Sequence, residues 1–151
     1  MADGPTKVLL YSHHGYGKTY QCRHYEKRYG KGLIISGESG LKSIEDVSID
    51  YAPFHTWDGE HDPSNGKFSF RGICSMINSK EFRSAGYKWI ALDSLTELSE
   101  RLLEHLEEEH KHNNNGFEKW GDYSRLLIGT LKWIRDLDMH VYVTCLAAEE
   151  Q

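Results

Sequence analysis

Gly15, Gly17, Lys18 and Thr19 stand directly after an apolar run, Val8-Leu9-Leu10-Tyr11, and open a stretch with helical patterning. Two glycines followed by a lysine and a hydroxyl residue are suited to holding a polyphosphate. Backbone N–H groups of such a turn form an anion-binding nest, and the helix that follows adds the positive end of its dipole. Glycine keeps a Cβ away where the backbone must close on phosphate oxygens. Lys18 would reach the outer phosphates, and the Thr19 hydroxyl would ligate Mg²⁺. The string from Ser12 to Thr19 departs from G-x-x-x-x-G-K-[ST] only at its first position, where Ser12 replaces glycine. A positive φ at that serine would cost about 1 kcal/mol. His13, His14, Gly15, Tyr16, Gly17, Lys18, Thr19 and Tyr20 form the candidate nucleotide-binding set. The plain alternative is an ordinary glycine turn between strand and helix. His13 and His14 read as loop-surface residues, because two adjacent histidines alone seldom close a metal site.

Four further residues could complete such a site. Trp89-Ile90-Ala91-Leu92-Asp93 is an apolar strand ending in a carboxylate, and strands of a parallel sheet all end on one edge. Asp93 is therefore the candidate for the Mg²⁺ shell, usually through water. Its alternative is helix capping, since Asp93 or Ser94 could cap the helix opening at Leu95, with Glu97 three residues after Ser94. Glu38, just past the apolar run Leu33-Ile34-Ile35, is the candidate for polarising an attacking water. A solvated loop glutamate is the alternative. Thr144 and Cys145 close the last strand on the same edge, where a hydroxyl could sense the terminal phosphate and a thiol would do so weakly. Cys145 reads equally as a buried thiol.

His105, His110 and His112 lie among Glu107, Glu108 and Glu109, but the spacing of His105 and His110 misses the i,i+4 alignment of helix ligands. A solvated helix end is the better reading. The segment from His110 to Trp120 mixes cationic, amide and aromatic groups in what reads as a flexible loop. Lys111, Asn114, Phe117, Lys119 and Trp120 are candidates for backbone contacts and base stacking on single-stranded DNA. A polar loop with packed aromatics is the alternative.

The elements that would position these residues alternate. Lys7–Ser12 reads as a buried strand and Lys18–Tyr29 as a helix stopped by Gly30 and Gly32. Leu33-Ile34-Ile35, apolar on both faces, suits a central parallel strand. A short strand is expected near Ser48–Tyr51, then a turn-rich loop at Asp58–Gly66. Near-helical spacing of Ile73, Met76, Ile77 and Phe82 predicts one helix over Phe68–Ser84, broken by Gly86. Leu95–His112 is a long helix with Leu98, Leu102, Leu103 and Leu106 on its apolar face. Gly121–Leu137 is another, with Leu126, Leu127, Leu131 and Ile134 inward, leading to a last strand at His140–Thr144. The expected fold is a three-layer α/β/α domain around a mostly parallel sheet, one domain over 1–151.

Composition sets the outer limits. Apolar content of 38% and charged content of 27% fit a soluble polar globule. No run is long enough to span a membrane and no leader pattern opens the chain, so cytoplasmic residence is expected. Cys22, Cys74 and Cys145 are odd in number and lack a C-x-x-C, which reads as reduced thiols. A net charge of −5 disfavours a generally sticky nucleic-acid binder but leaves room for a local basic face. The chain stops soon after a core strand, and a C-terminally shortened core is the expectation from that.

In order, SHHGYGKT, LIISGESGLKSI, KWIALDSLTEL and HVYVTC resemble the RecA-type P-loop ATPase core. The likeness is greatest to small phage-encoded RecA-like ATPases linked to single-strand annealing and recombination. The resemblance implies ATP and Mg²⁺ as cofactors. It gives Lys18 and Thr19 the phosphate and Mg²⁺ roles, Asp93 the magnesium-strand role, Glu38 the catalytic carboxylate, and Thr144 and Cys145 the phosphate-sensing place. The family often has glutamine or histidine near that last place, a departure that bears on coupling to DNA. The loop from His110 to Trp120 falls near the first DNA-contacting loop of that core. Also implied are a homo-oligomeric ring or filament, with a basic residue supplied in trans, and residence in the cytoplasm of a bacterial host. Alternative readings are a non-hydrolysing nucleotide switch for assembly or DNA binding, a small-molecule or nucleotide kinase, disfavoured by scattered arginines, and a purely structural remnant.

Overall fold

In a computed structural model, residues 4–12, 18–37, 49–113 and 116–146 are described. Five strands, β1 (Lys7–Ser12), β2 (Gly32–Ser36), β3 (Asp50–Pro53), β4 (Trp89–Asp93) and β5 (His140–Leu146), form one sheet in the order β1-β5-β4-β2-β3. Every pairing is parallel. The helices are α1 (Lys18–Tyr29), α2 (Phe70–Ile77), α3 (Lys80–Ser84), α4 (Leu95–Glu109) and α5 (Gly116–Asp136). The expected α/β class with a parallel sheet is what the chain forms.

Because side chains alternate along a strand, the three inner strands β2, β4 and β5 feed two cores. Leu33, Ile35, Ile90, Leu92, Val141 and Val143 face a large cluster completed by Phe54, Phe70, Ile73, Leu98, Leu102 and Leu106. Ile34, Trp89, Ala91 and Tyr142 face the other way, against Cys22 and Tyr25 of α1. Tyr25 anchors that layer, with its ring centroid 5.7 Å from Trp89 and 5.5 Å from Tyr142. The Trp89 indole N–H is satisfied by the Gly30 carbonyl at 2.8 Å. Gly32 has to be glycine, since a Cβ there would lie 1.9 Å from the Trp89 ring.

Several local expectations are corrected. β1 is an edge strand rather than a buried one. Val8 and Leu10 pack toward α1, while Leu9 and Tyr11, on the opposite face, are 64% and 67% exposed. The short strand expected near Ser48–Tyr51 is described at Asp50–Pro53, paired with β2 from Leu33 to Ser36, and Ser48 lies outside the described residues. The single helix expected over Phe68–Ser84 is two. The first ends at Ile77 with Asn78 as its C-cap, and Ser79 caps the second, its hydroxyl accepting from the Phe82 N–H at 3.2 Å. α4 ends at Glu109, short of His112. α5 starts at Gly116, five residues before the expected Gly121. Two glycines in its first two turns each cost about 1 kcal/mol of helix propensity. Tertiary contacts offset this. Tyr123, Leu126 and Leu127 pack on the core, and the His110 ring meets the Asp122 carboxylate at 3.0 Å. Leu131, expected inward, is 40% exposed.

Replacing Gly32 by alanine is expected to destabilise the chain by about 1–3 kcal/mol through overpacking against Trp89. Gly129→Ala, where an added Cβ meets nothing within 4 Å, should stabilise α5 by up to about 1 kcal/mol. Urea denaturation of both variants reads the contrast, and equal midpoints would contradict the packing of Trp89 on Gly32.

Candidate nucleotide-binding site

Three buried polar residues stand in a row at the carboxyl edge of the sheet: Ser36 on β2, Asp93 on β4 and Thr144 on β5. Each falls two residues after a member of the α1-side core, namely Ile34, Ala91 and Tyr142, so all three share that face. Register enforces the alignment. Ser36 pairs with Asp93, and the Thr144 hydroxyl donates to Asp93 Oδ1 at 2.7 Å. A carboxylate in so dry a place is costly unless hydrogen-bonded, and Thr144 supplies one of those bonds.

The start of α1 belongs to the same corner. Lys18 and Thr19 are its first two residues, one turn ahead of Cys22. Cys22 packs with Ala91 and Tyr142, each two residues before a member of the row, so α1 lies over that edge; burial, with the negative charge of Asp93 adding to it, pushes the Cys22 thiol up to about 12. Burial also raises the Tyr142 phenol, with Cys22, Tyr25 and Asp93 adding to it. Neither group ionises near neutrality, and the row contributes one carboxylate among hydroxyls. Ser12 ends β1 in register with Leu146. No non-glycine residue among those described has a positive φ, so Ser12 carries no such strain.

Capping does not consume Asp93. Ser94 takes that role, its hydroxyl accepting from the Glu97 N–H at 3.2 Å, while the Glu97 carboxylate pairs with Arg101 at 3.3 Å. The Asp93–Ser94 peptide is cis. Gly37 continues β2, donating its N–H to the Asp93 carbonyl at 2.9 Å. A Cβ on Gly37 would lie 2.7 Å from the Phe54 ring and 2.9 Å from the Glu97 Cβ, so only glycine fits where the chain leaves β2 toward Glu38. Glu97 went unnoticed in the sequence except as a cap partner. Its place beside Gly37 comes from β2–β4 pairing, which no local signal announces.

The expected site residues divide plainly. Asp93 and Thr144 are brought together, at the edge where α1 begins. Cys145 falls on the opposite face of β5 from Thr144, level with Tyr11 of β1, and burial raises its thiol. His13, His14, Gly15, Tyr16, Gly17, Glu38 and Asn114 lie outside the described residues. Phe117, Lys119 and Trp120 lie on α5 instead of in a loop, and Lys111 follows the end of α4. Among the described residues no three His, Cys, Asp or Glu side chains gather as a metal cluster, and no helix is long and apolar enough to cross a membrane. A cavity of about 860 Å³, lined by Tyr29, Tyr87, Lys88 and His140 among others, opens at the strands' other end, away from Asp93.

Residues 4–151 match the AAA domain family. The chain belongs to that family. A nucleotide-binding ATPase core is what this membership supports, and the buried Asp93 beside the start of α1 suits it. No curated protein matches the chain. Hard oxygen donors suit Mg²⁺, and the donor chemistry here, the Asp93 carboxylate with hydroxyl neighbours, fits that ion.

Thr144→Val keeps the shape of the side chain and removes the hydroxyl bonded to Asp93. The expected result is a stability loss of about 1–3 kcal/mol and a higher Mg²⁺ requirement for nucleotide binding. Titrating Mg²⁺ against binding of a fluorescent ATP analogue measures it; an unchanged Mg²⁺ midpoint would separate Thr144 from the metal site.

Proposed function

We propose that residues 1–151 act as one RecA-like nucleotide-binding domain that hydrolyses ATP with Mg²⁺ in phage-type DNA recombination or single-strand annealing. The observation that carries the hydrolytic part is the buried row Ser36–Asp93–Thr144, with its single carboxylate at the edge from which α1 starts. Residues His13 to Tyr20 enclose the phosphates, with Lys18 on the outer phosphate oxygens. Thr19 and Asp93 hold Mg²⁺, which, when bound, neutralises charge that develops on the transferred phosphoryl group. Glu38 accepts a proton from the water that attacks the γ-phosphorus, as the bond to the β-γ bridging oxygen breaks.

Thr144 acts through Asp93, as a positioning residue: its hydroxyl is already donated to that carboxylate. Cys145, on the opposite face of β5, is poorly placed to sense the γ-phosphate, so that expected role passes to neither residue. ATP and ADP are the small-molecule partners. Single-stranded DNA is the macromolecular one, contacted through Lys111, just past the end of α4, Lys119 on α5, and Asn114 between them in sequence. Phe117 and Trp120, expected beside them as stacking platforms, lie on a helix face that also carries Ile128 and Leu131. Both rings are exposed on that helix, 87% and 51%, as base stacking on single-stranded DNA requires. A ring or filament of copies, in the cytoplasm of a bacterial host, completes the reading, with a cation supplied in trans.

ATP turnover with Mg²⁺, with and without single-stranded DNA, tests it. Lys18→Ala should abolish nucleotide binding and turnover together. Glu38→Gln should keep binding and lose turnover by about 10²-fold or more. DNA should raise the rate, less so in Lys111→Ala. Binding without turnover in the unmodified chain would replace hydrolysis by a nucleotide switch, and neither binding nor turnover would remove the enzymatic reading.

A further inference from the structure

The cavity of about 860 Å³ at the amino ends of the strands belongs to no part of the site at Asp93. Lys88, on its lining, stands five residues before Asp93, about 16 Å away along the strand at 3.3 Å per residue. His140, also on the lining, is the first residue of β5. Small-molecule sites span roughly 300–1,000 Å³, and this cavity falls within that range.

Aromatic rings make up much of the lining, and each is held in place by its own chain. Phe82 and Tyr87 stack with centroids 4.4 Å apart, 5° from parallel. The Lys31 ammonium lies 4.2 Å from the Tyr87 centroid, and the Tyr87 hydroxyl donates to the Asp50 carboxylate. Trp133 donates its indole N–H to the Asn78 side-chain oxygen at 3.1 Å. Tyr29 stacks on His140 at 3.8 Å. Lys7 fixes the backbone between α5 and β5, donating to the Leu137 and Met139 carbonyls at 2.5 and 2.6 Å. A ligand that enters among rings already fixed has little ordering left to bring about, which favours binding.

The charges on the lining do not balance. Asp136 is held by Arg135 at 2.9 and 3.3 Å. Burial lowers the Lys7 ammonium, and Asp138 and Asp136 act against that lowering, so both lining carboxylates work on cations of their own chain. Arg83 and Lys88 differ: among the described residues neither side chain has a hydrogen-bond or ion-pair partner. His140 adds a donor to these two cations. Its Nδ1 accepts from the Thr6 N–H at 3.0 Å, while burial first, then Lys7 and Arg28, hold its protonation below the usual range. The neutral ring therefore carries its one proton on Nε2.

We infer that this cavity binds a small planar aromatic molecule bearing one carboxylate, with the unpartnered Arg83 and Lys88 on the anion and the ring against Phe82, Tyr87 and Trp133. The guanidinium fork of Arg83 suits a carboxylate, and charge-assisted bonds of that kind are the stronger ones. A neutral molecule of the same shape keeps the apolar walls but gives the two cations nothing to pair with. The site is separate from the edge at Asp93 and stands whether or not the chain hydrolyses ATP.

Isothermal titration calorimetry of the full chain with 2-naphthoate tests this, beside 2-naphthamide, a neutral molecule of the same shape. One naphthoate should bind per chain, about 10-fold or more tighter than the naphthamide. Arg83→Gln and Lys88→Gln should each weaken naphthoate by about 5-fold or more and leave the naphthamide unchanged, a difference that loss of folding cannot imitate. Circular dichroism of each variant checks the fold. Lys18→Ala should bind naphthoate as the unmodified chain does, so failure of the ATPase reading leaves this result standing. No binding at millimolar naphthoate, equal affinity for the two probes, or a preference for the anion that survives both substitutions would each overturn the proposal. So would displacement by ATP with Mg²⁺, which would move the probe to the nucleotide site, or by a single-stranded oligonucleotide, which would make the cavity part of a nucleic-acid surface.

Discussion

The hydrogen bond from Thr144 to Asp93 joins two strands that bring opposite requirements to one place. β4 is buried along its whole length, and its last residue is a carboxylate. Charge in such surroundings has to be matched by oriented donors, and low local dielectric makes each donor count for more than it would in water. Because β5 lies directly between β1 and β4, the donor comes from the strand that also borders β1. A polar row, rather than an isolated aspartate, is therefore presented at the edge where α1 begins.

α1 links this row to the stability of the whole layer. Cys22 and Tyr25 belong to the same core cluster as Ile34, Trp89 and Tyr142. Anything that shifts α1 against the sheet moves the start of the helix relative to Asp93. Gly32 and Gly37 bracket β2 for related reasons: one makes room for the Trp89 ring that underlies α1, the other for Phe54 and Glu97 where the chain turns toward Glu38. Packing and site geometry are thus set by the same few close approaches.

α5 meets the core with only part of its surface. Thr130 and Ile134 fasten it to the core, and the His110–Asp122 contact fixes its beginning to the end of α4. Phe117, Trp120, Ile128 and Leu131 of the same helix are exposed at the surface of a chain with a net charge of −5.

The signals that nominate site residues are local: Lys18-Thr19 after two glycines, an apolar strand ending at Asp93, and a polar residue closing the last strand are read from neighbours in the chain. The parallel α/β class follows from strand and helix periods alone. The order of strands was not legible, because pairing joins residues far apart in sequence. It is that order which puts Thr144 on Asp93, hands helix capping to Ser94, and sets Glu97 beside Gly37. Edge and centre strands have the same apolar composition, so only the assembled sheet reveals that Leu9 and Tyr11 stay in water. Likewise, glycines at 116 and 121 suggested a loop by propensity, and tertiary packing made them helix. Residue types and spacing determined which chemistry the chain could perform; the folded sheet decided which side chains meet.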